Sequence, residues 1–365
     1  VAARSPADQR RVLDYWTPRR MADALPIDML DIVAKDGGLL SGITGRTTLG
    51  RTESLLPGGA KGIVPRRRTV VPDRDAKLPG RDTVAPGRDA KLPGHDAAAP
   101  GHDAAAPGRD TVTPRRDAAA PDRQDAVPRH QSARPQITTS GSRWLTGGAV
   151  TRTTGRVFLT VSGVDFVCSA STVKSANRDL VVTAGHCVKD GAGEWAANWQ
   201  FVPGYRVGGG HPYGQYAARR MFVAGPWARS ANDNFDVGMV ALTTWAGKHV
   251  TDVVGAQQIA FNATRGGQAF GFGFPADPPY DGEHLVYCAG RLREDPYKQT
   301  RDQGLSCDMT AGSSGGPWLS GFDPATGTGR ITSLSSFKYS DDQRTMYGPY
   351  FGESARTLFN TAERA

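Results

Sequence analysis

After about Ile137 the chain alternates between short apolar runs and turns that contain Gly, Pro and Asp. The runs are rich in β-branched and aromatic residues, as in GRVFLTVSG, DLVVTAGHC, FDVGMVAL, HLVYCAG and RITSLSSF. Many short strands at regular spacing, with no long amphipathic helix, are typical of an all-β sandwich or barrel. We therefore predict a β-rich domain over residues 139–365, long enough for two small barrels that pack together, with one helix in the tail GESARTLFNTAERA.

The beginning of the chain has a helical pattern instead. Ser5-Pro6 and Thr17-Pro18 each place a capping hydroxyl just before a proline at the first helical position. We predict short helices over residues 5–36, within a first region of residues 1–60. Such a segment buries too little surface to fold alone, so we expect it to pack on another part of the chain. Its predicted apolar face consists of Val12, Leu13, Tyr15, Trp16, Met21, Leu25, Ile27, Met29, Leu30, Ile32 and Val33.

Between these regions lies a seven-residue repeat. Seven units run from Arg74 to Asp122, among them RDAKLPG, RDTVAPG and HDAAAPG. A period of seven is typical of a coiled coil, but the proline in every unit breaks a continuous helix. Because the apolar content is mainly alanine, stacked repeats would bury too little surface to offset the entropy of ordering. We predict a disordered linker over residues 61–138, with a calcium-binding or wall-binding repeat array as the alternative.

The net charge of +8 is unevenly distributed over the 365 residues. Residues 139–365 contain 21 Lys/Arg and 19 Asp/Glu, a net of +2, which leaves 23 and 17, a net of +6, for residues 1–138. The basic part has almost no aromatic residues on which bases could stack, so we expect no nucleic-acid partner. No apolar run approaches the roughly 18 residues that span a membrane, so we expect no membrane partner either.

The four cysteines, Cys168, Cys187, Cys288 and Cys307, all lie in the β-rich part. The first two and the last two are each 19 residues apart, and there is no C-x-x-C pair, so two disulfides fit better than a zinc site. A Cys168–Cys187 bridge would hold the turn after a predicted strand. Because disulfides form in oxidising compartments, we predict a secreted, extracellular protein. The chain begins at Val1 rather than Met, and we expect that a signal peptide has been removed or left out.

Three motifs in this part carry residue types that suit nucleophilic catalysis. LVVTAGHC is a predicted strand that ends at His186, whose imidazole can act as base and then acid, although such a histidine is more often structural. In NDNFDVGMVAL, Asp236 stands at the start of a predicted strand, where a carboxylate could orient a histidine. Asp233 is the competing candidate, but the strand pattern begins after Asp236. In CDMTAGSSGGPW, Ser314 precedes Gly-Gly-Pro, and the amides of Gly312 and Ser314 could stabilise an oxyanion.

Together TAGHC, DVGMV and GSSGGP, in the order His–Asp–Ser within a β-rich chain, resemble the chymotrypsin-fold (trypsin-like, S1) serine peptidases. The chain is most similar to the secreted actinobacterial branch related to V8-type glutamyl endopeptidases, over roughly residues 150–360 and including FVPGYRVGGGHPYGQY and GFPADPPYDGEHLVYCAGR. The resemblance implies two six-stranded antiparallel β-barrels with the site in the cleft between them. It also implies His186 as general base, Asp236 as its orienting group and Ser314 as nucleophile, with Gly312 and Ser314 forming the oxyanion hole.

One position departs from this family pattern. Trypsin-like zymogens usually carry an aspartate just before the nucleophile, where this chain has Ser313, which is also the rival nucleophile. Activation through an ion pair with a new N-terminus is therefore not expected. We expect instead that residues 1–60 form an inhibitory or folding-assisting pro-region, with a retained docking module as the alternative. Cleavage in the Arg-rich linker would release a domain that begins near residues 130–145.

Candidate substrate-binding residues flank the nucleophile. Asp308 lies six residues before Ser314, where the resemblance implies the acid at the base of the primary specificity pocket, which would attract Lys or Arg side chains. The alternative is an aspartate that caps the loop after the neighbouring cysteine. Ser336 and Phe337, in SLSSFKY, are expected on the strand that lines the pocket.

Glutamate specificity is less well supported. Relatives with that preference often have a histidine just before the pocket serine, where this chain has Ser335. His284 and Lys338 are nevertheless candidates for binding an acid. Cys288–Cys307 is expected to tie the strand before the nucleophile loop to its neighbour.

The sequence thus predicts a secreted serine endopeptidase, made as a proenzyme, which acts on protein or peptide substrates. We expect a monomer with no metal or organic cofactor, whose partners are its substrates and its own pro-region. One alternative is an esterase that uses the same three residues. The other is a non-catalytic binding module tethered by the repeats, which the complete set of histidine, aspartate, serine and glycines argues against.

Overall fold

The short apolar runs of the sequence fold into β-strands. The computed structural model describes residues 2–27, 135–208 and 210–365. The predicted linker over residues 61–138 therefore lies outside the described residues except for residues 135–138. The part of the predicted helical region that follows Ile27 also lies outside them.

The first half of the β-rich part forms a closed antiparallel barrel, here called the first barrel. Its strands are β3 (Thr154–Val161), β4 (Val164–Thr172), β5 (Leu180–Thr183), β6 (Ala197–Pro203), β7 (Tyr216–Val223) and β8 (Gly238–Leu242). They are hydrogen-bonded in the order β4-β3-β6-β7-β8-β5, and pairing of β4 with β5 closes the ring. Closure satisfies most edge groups. The main apolar cluster contains residues of this barrel together with Phe270, Phe272 and Leu319 of the later strands.

The remaining strands form two further sheets, here called the second lobe. The six-stranded sheet has the order β2 (Thr139–Arg143), β11 (Val286–Arg291), β10 (Gln268–Gly273), β14 (Pro317–Asp323), β15 (Thr328–Leu334) and β9 (Gln258–Ile259). The four-stranded sheet has the order β12 (Arg293–Glu294), β13 (Gln303–Ser306), β17 (Asp342–Gly348) and β16 (Phe337–Tyr339).

The all-β prediction is confirmed, and the first barrel is one of the two six-stranded barrels expected. In the second lobe the strands divide between two sheets, and β9 joins β15 in parallel. Register shifts along the β14–β15 pair interrupt regular pairing there. The two sheets still share one apolar cluster, in which Leu305 and Met346 of the smaller sheet pack with Ala269 and Trp318 of the larger.

The helices of the described ranges are short, and none is long and apolar enough to cross a membrane. They are α1 (Pro6–Tyr15), α2 (Pro18–Asp23), α3 (Val150–Thr153), α4 (Gly225–Ser230), α5 (Val250–Val254) and α6 (Glu353–Ala362). The predicted caps are present, because the hydroxyls of Ser5 and Thr17 accept hydrogen bonds from the amides of Asp8 and Arg20. Helix α6 lies in the predicted C-terminal tail.

The N-terminal segment, residues 2–27, packs on the first barrel, as the sequence leads one to expect. Val12, Trp16, Met21 and Ile27 of its predicted apolar face are buried, whereas Leu25 is 52 % exposed. The segment ends with β1 (Leu25–Pro26), which pairs in parallel with β4. The two-residue strand was not predicted, because a proline within a short run does not indicate a strand.

Gln257, which lies just before the second lobe, connects it to the first barrel through a buried amide. Its side chain donates to Thr153 Oγ1 at 3.1 Å and to the Gly327 carbonyl at 3.0 Å, and its oxygen accepts from the Gly329 amide at 3.0 Å. The residue is 1 % exposed, so water cannot replace these bonds readily. The neighbouring Gln258 is exposed.

We expect Gln257→Ala to destabilise the fold. The change leaves buried donors and acceptors without partners, and each such group costs about 1–3 kcal/mol, so the free energy of unfolding should fall by about 2 kcal/mol or more. Urea unfolding of the full chain measures the effect, with Gln258→Ala as the matched control. Equal unfolding midpoints for the two variants would contradict this role of Gln257.

Candidate active site

His186 lies in a tight turn that follows β5. The Cys168–Cys187 disulfide joins this turn to β4, as predicted, and Cys288–Cys307 is also formed. The turn passes close to its neighbours at Gly185, where a Cβ atom would stand 2.8 Å from Asp236 Oδ1 and 2.9 Å from the Trp227 ring. A glycine is therefore needed to bring the His186 backbone against the Asp236 carboxylate.

Asp236 follows a single 3-10 turn over Asp233–Phe235 and is fully buried. Its Oδ2 lies 2.8 Å from His186 Nδ1 and accepts a 2.6 Å bond from the Ser336 hydroxyl, while Oδ1 accepts from the His186 amide at 2.8 Å. Burial raises the pKa of Asp236, but the charge and hydrogen bonds of His186 and the Ser336 hydroxyl outweigh it, so the pKa lies below its ordinary value. The carboxylate therefore stays charged beside the imidazole.

Ser314 lies in the loop between β13 and β14, against β4. Its carbonyl accepts from the Ser169 amide at 2.7 Å. A Cβ atom at Gly315, whose φ is +79°, would stand 2.4 Å from the Ser169 carbonyl oxygen, so this close approach needs glycine. Ser314 Oγ and His186 Nε2 are both buried, and neither has a hydrogen-bond partner within the described ranges. Both reactive atoms expected from the sequence are thus free of competing bonds.

The loop also orients its amides. Those of Ser313, Gly315 and Gly316 donate to the carbonyls of Thr310, Ser335 and Ser313. Among the described residues, no group accepts from the amides of Gly312 and Ser314, the two expected in the oxyanion hole. The hydroxyl of Ser313, the rival nucleophile, already donates a hydrogen bond to the Thr310 carbonyl at 2.7 Å.

The expected pocket residues lie in different surroundings. The Ser336 side chain contacts the buried Asp236 carboxylate, a contact that the sequence did not indicate. Phe337 is 3 % exposed and packs in an aromatic cluster with Tyr339 and Tyr347.

Asp308 is exposed, and its Oδ1 accepts a 2.6 Å hydrogen bond from the Tyr280 hydroxyl. Among the described residues no amide donates to this carboxylate, so the loop-capping alternative is not observed. Lys338 is nearly buried, and its ammonium donates to the Gln343 carbonyl at 2.6 Å. Burial lowers the pKa of Lys338 to about 8, although the charge of Asp308 acts in the opposite direction. His284 instead lies 3.2 Å from Asp281.

One group of metal-ligating residue types comes together in the described ranges. Cys168, His186 and Cys187 place candidate ligand atoms within 4.8 Å of one another. Since the two cysteines form a disulfide, they offer no thiolate, and the donor set does not fit a metal ion.

The barrel, the second lobe and the buried His–Asp pair define a protein of the chymotrypsin fold. The protease Anisep from Arthrobacter nicotinovorans is 38 % identical over 61 % of this chain and 99 % of that protein, with a TM-score of 0.57. The thermostable serine protease AL20 from an extremophilic microorganism is 38 % identical over 60 % of this chain and 99 % of that protein, with a TM-score of 0.56. This chain therefore belongs to the chymotrypsin-fold serine peptidases related to the V8-like branch.

Three further matches are more distant or shorter, and one of them is named as a metalloprotease. A Glu endopeptidase structure, 17 % identical over 63 % of this chain and 100 % of that protein with a TM-score of 0.50, shares the fold. The curated extracellular metalloprotease of Bacillus subtilis is 36 % identical over 74 residues, and the glutamyl endopeptidase of Bacillus licheniformis is 39 % identical over 71. These matches span 20 % and 19 % of this chain, and only 23 % and 22 % of the curated relatives. No family model matches the chain.

Two further carboxyl groups influence Asp236: Asp233, the competing candidate of the sequence, and Asp302, which the sequence did not indicate. Burial and the charge of Asp236 raise the pKa of Asp233 to about 7, against a lowering effect of His186. Asp302 is 1 % exposed, and in the part of the chain that the structure describes neither of its oxygens has a hydrogen-bond partner. Burial and then the charges of Asp233, Asp236 and Asp295 raise the pKa of Asp302 well above its ordinary value. When Asp233 and Asp302 are protonated, they add no negative charge beside Asp236.

Asp233→Asn should change how stability depends on pH. The pKa of Asp233 rises from an ordinary 3.8 to about 7 in the folded protein, so between these values the folded state holds a proton that the unfolded state releases. The free energy of unfolding therefore decreases as pH rises through this window, and asparagine removes the effect. Urea unfolding between pH 5 and pH 8 measures the slope, with the exposed Asp277→Asn as control. A slope that is unchanged in Asp233→Asn would count against this assignment.

Proposed function

We propose that this protein is a secreted serine endopeptidase, made as a proenzyme, which hydrolyses peptide bonds through an acyl-enzyme on Ser314. The observation that carries the proposal is the buried His186–Asp236 pair, together with the buried Ser314 hydroxyl, for which the described residues offer no hydrogen-bond partner. The two protease relatives that this chain covers almost completely support a peptide substrate.

In the proposed reaction, His186 Nε2 takes the proton of Ser314 Oγ as this oxygen attacks the substrate carbonyl carbon. The amides of Gly312 and Ser314 stabilise the negative oxygen of the tetrahedral intermediate. His186 then protonates the leaving amine, and water hydrolyses the acyl-enzyme by the same steps in reverse order. Asp236 keeps the imidazole proton on Nδ1 and stabilises the imidazolium that forms. Each step uses only these groups and water.

Export and a proenzyme form belong to the same proposal. Two disulfides suit an oxidising compartment, and the name of the Bacillus subtilis relative describes it as extracellular. The docked N-terminal segment supports a pro-region within residues 1–60. We propose a monomer whose partners are peptide substrates and this pro-region, without nucleic acid, membrane, metal or organic cofactor.

Two contacts at the start of the β-rich part support a processing site before Gln136. The amide of Gln136 donates to the Tyr287 hydroxyl at 3.0 Å, and β2, which begins at Thr139, pairs with β11. Cleavage on the C-terminal side of β2 would remove this edge strand from the six-stranded sheet. We therefore place the processed N-terminus before Gln136, at the start of the expected range of residues 130–145.

The two adjacent serines offer a matched test of the nucleophile. Ser314→Ala should abolish labelling by a fluorophosphonate and lower kcat/KM for peptides by roughly 10⁴-fold or more, because the attacking oxygen is lost. Ser313→Ala should keep labelling, since that hydroxyl only bonds the Thr310 carbonyl.

Labelling that persists in Ser314→Ala would place the nucleophile elsewhere. A processed wild-type protein that does not label would favour the non-catalytic binding module. Comparison of ester and peptide turnover by the wild type distinguishes an endopeptidase from an esterase.

We further propose that Asp308 attracts Lys or Arg side chains of substrates. Its carboxylate is exposed and bound by Tyr280 through Oδ1 alone. Asp308→Asn should lower kcat/KM for cleavage after Lys or Arg about fivefold, as expected for the loss of an exposed ion pair worth about 1 kcal/mol. A peptide-library profile measures it, with Asp277→Asn as control. Loss of cleavage after Glu in Lys338→Met, with no effect of Asp308→Asn, would show that the acid-binding alternative is correct.

A further inference from the structure

We propose that the outer face of the first barrel is a binding surface for the chain's own N-terminal segment, residues 2–27. We propose further that the bound segment inhibits the enzyme by closing the edge of β4 that leads to Ser314. The inference rests on the proposed function, because inhibition has a meaning only if Ser314 is the nucleophile. It also has a consequence for activation: a cut between residues 28 and 134 leaves the segment in place.

The segment is anchored by apolar contacts on the outside of the barrel. Residues alternate along β3, so that Val157 and Leu159 point into the barrel core while Phe158 points out. Trp16, 3 % exposed, packs on Phe158 with ring centroids 5.4 Å apart. The same outer cluster contains Ala3, Val12, Met21 and Ala24 of the segment, together with Val167, Val202, Tyr205, Ala217 and Phe274. Phe158 is fully buried, and Trp16 of the segment is among the residues that cover it.

Hydrogen bonds hold the segment along its whole length. Near its start, the Ala3 amide donates to the Ala218 carbonyl at 2.7 Å, and Gln9 Nε2 donates to the Thr244 carbonyl at 2.7 Å. In its middle, the indole N–H of Trp16 donates to the Asn198 carbonyl at 2.5 Å.

One carboxylate of the barrel receives two side chains of the segment. The Tyr15 hydroxyl donates to Asp165 Oδ1 at 2.8 Å, and Arg20 Nη1 lies 3.1 Å from Oδ2. All of these contacts lie within the described residues and do not depend on the rest of the pro-region. The segment should therefore stay bound when the chain is cut beyond it.

The end of the segment occupies an edge of β4. Leu25 pairs with Phe166 and Pro26 with Val167 in parallel register, and the Ile27 amide donates to the Val167 carbonyl at 3.4 Å. Ile27 is fully buried in the main apolar core. Since β1 and β4 run in the same direction, the segment advances towards the part of β4 that contacts the nucleophile loop.

The part of β4 that the segment approaches lies close to Ser314. The Ser169 amide bonds the Ser314 carbonyl, and Ser169 lies two residues beyond Val167, about 7 Å at the rise of an extended strand. A peptide substrate that extends from Ser314 along this edge needs the main-chain groups of β4, as in other cases of strand addition. The segment already takes the Val167 carbonyl. In the full chain, Ser314 and His186 are only 0 % and 1 % exposed, as a closed form requires.

The test uses the full chain and a fluorophosphonate probe. A site-specific protease sequence inserted after Gly87 allows a single cut in the linker. We expect the intact and the cut protein to label about equally slowly, and the N-terminal fragment to co-elute with the rest in gel filtration. Ile27→Asp should label at least about tenfold faster. This is the change expected when the accessible form rises from about a tenth of the population to most of it.

Arg20→Ala offers a milder change that leaves the core intact, and Arg19→Ala is its matched control. Arg20 contacts Asp165, whereas the Arg19 side chain is 92 % exposed. Arg20→Ala should speed labelling and weaken retention of the fragment, and Arg19→Ala should change neither. If Ile27→Asp does not fold, the comparison of Arg20→Ala with Arg19→Ala still tests whether the segment inhibits the enzyme.

The outcomes separate this inference from the proposed function. If the intact wild type labels as fast as the variants, or if the fragment separates as soon as the linker is cut, the inhibitory segment is wrong and the enzyme assignment stands. If none of the forms labels, even after removal of the fragment in mild urea, the proposed function itself fails.

Discussion

The site depends on one buried charge, the carboxylate of Asp236. A carboxylate in the interior costs a great deal of free energy unless it is paired and hydrogen-bonded. Here the donors are the ring and the amide of His186, from the first barrel, and the hydroxyl of Ser336, from the second lobe. The same carboxylate therefore holds the imidazole in place and joins the two halves of the domain. The histidine is oriented only where the two halves have assembled.

This arrangement also restricts the charges nearby. Asp233 and Asp302 would add negative charge beside a group that must stay ionised, and burial together with repulsion favours their protonated forms. Both groups have buried oxygens without partners, a costly condition for a charged carboxylate. The charge on Asp236 is thus maintained by its three donors and by the neutrality of its acidic neighbours. The charge state of the site therefore depends on residues other than His186, Asp236 and Ser314.

The sequence predicted the parts of the site whose residue types stand next to a strand. His186 after LVVT and Asp236 before GMVAL were found because a polar residue interrupts an apolar run at each place. Ser336 was expected in a pocket, because nothing in SLSSF tells which hydroxyl meets an acid 100 residues earlier. Asp302 gave no signal, since acids are normally exposed and the sequence does not show when one is buried.

The fold was predictable to a similar degree. Alternation and turn residues indicated the strands, but the split of the second lobe into two sheets depends on register shifts that local pattern does not encode. In GRVFLTV the inward positions Val157, Leu159 and Val161 are apolar, and the outward positions are Arg156, Phe158 and Thr160. Of the three outward residues only Phe158 is apolar, and Trp16 of the N-terminal segment packs on it.

That covered face bears on what happens after processing. A barrel that lost the segment would uncover the face of Phe158 on which Trp16 packs, together with the main-chain groups of β4 that β1 occupies. Contiguous apolar surface and open strand edges favour association with other chains. Lasting attachment of residues 2–27 to the outer face, with release of only the β1 end from β4, would keep the apolar face covered while opening the path to Ser314. The same segment would then serve both stability and regulation, through different residues.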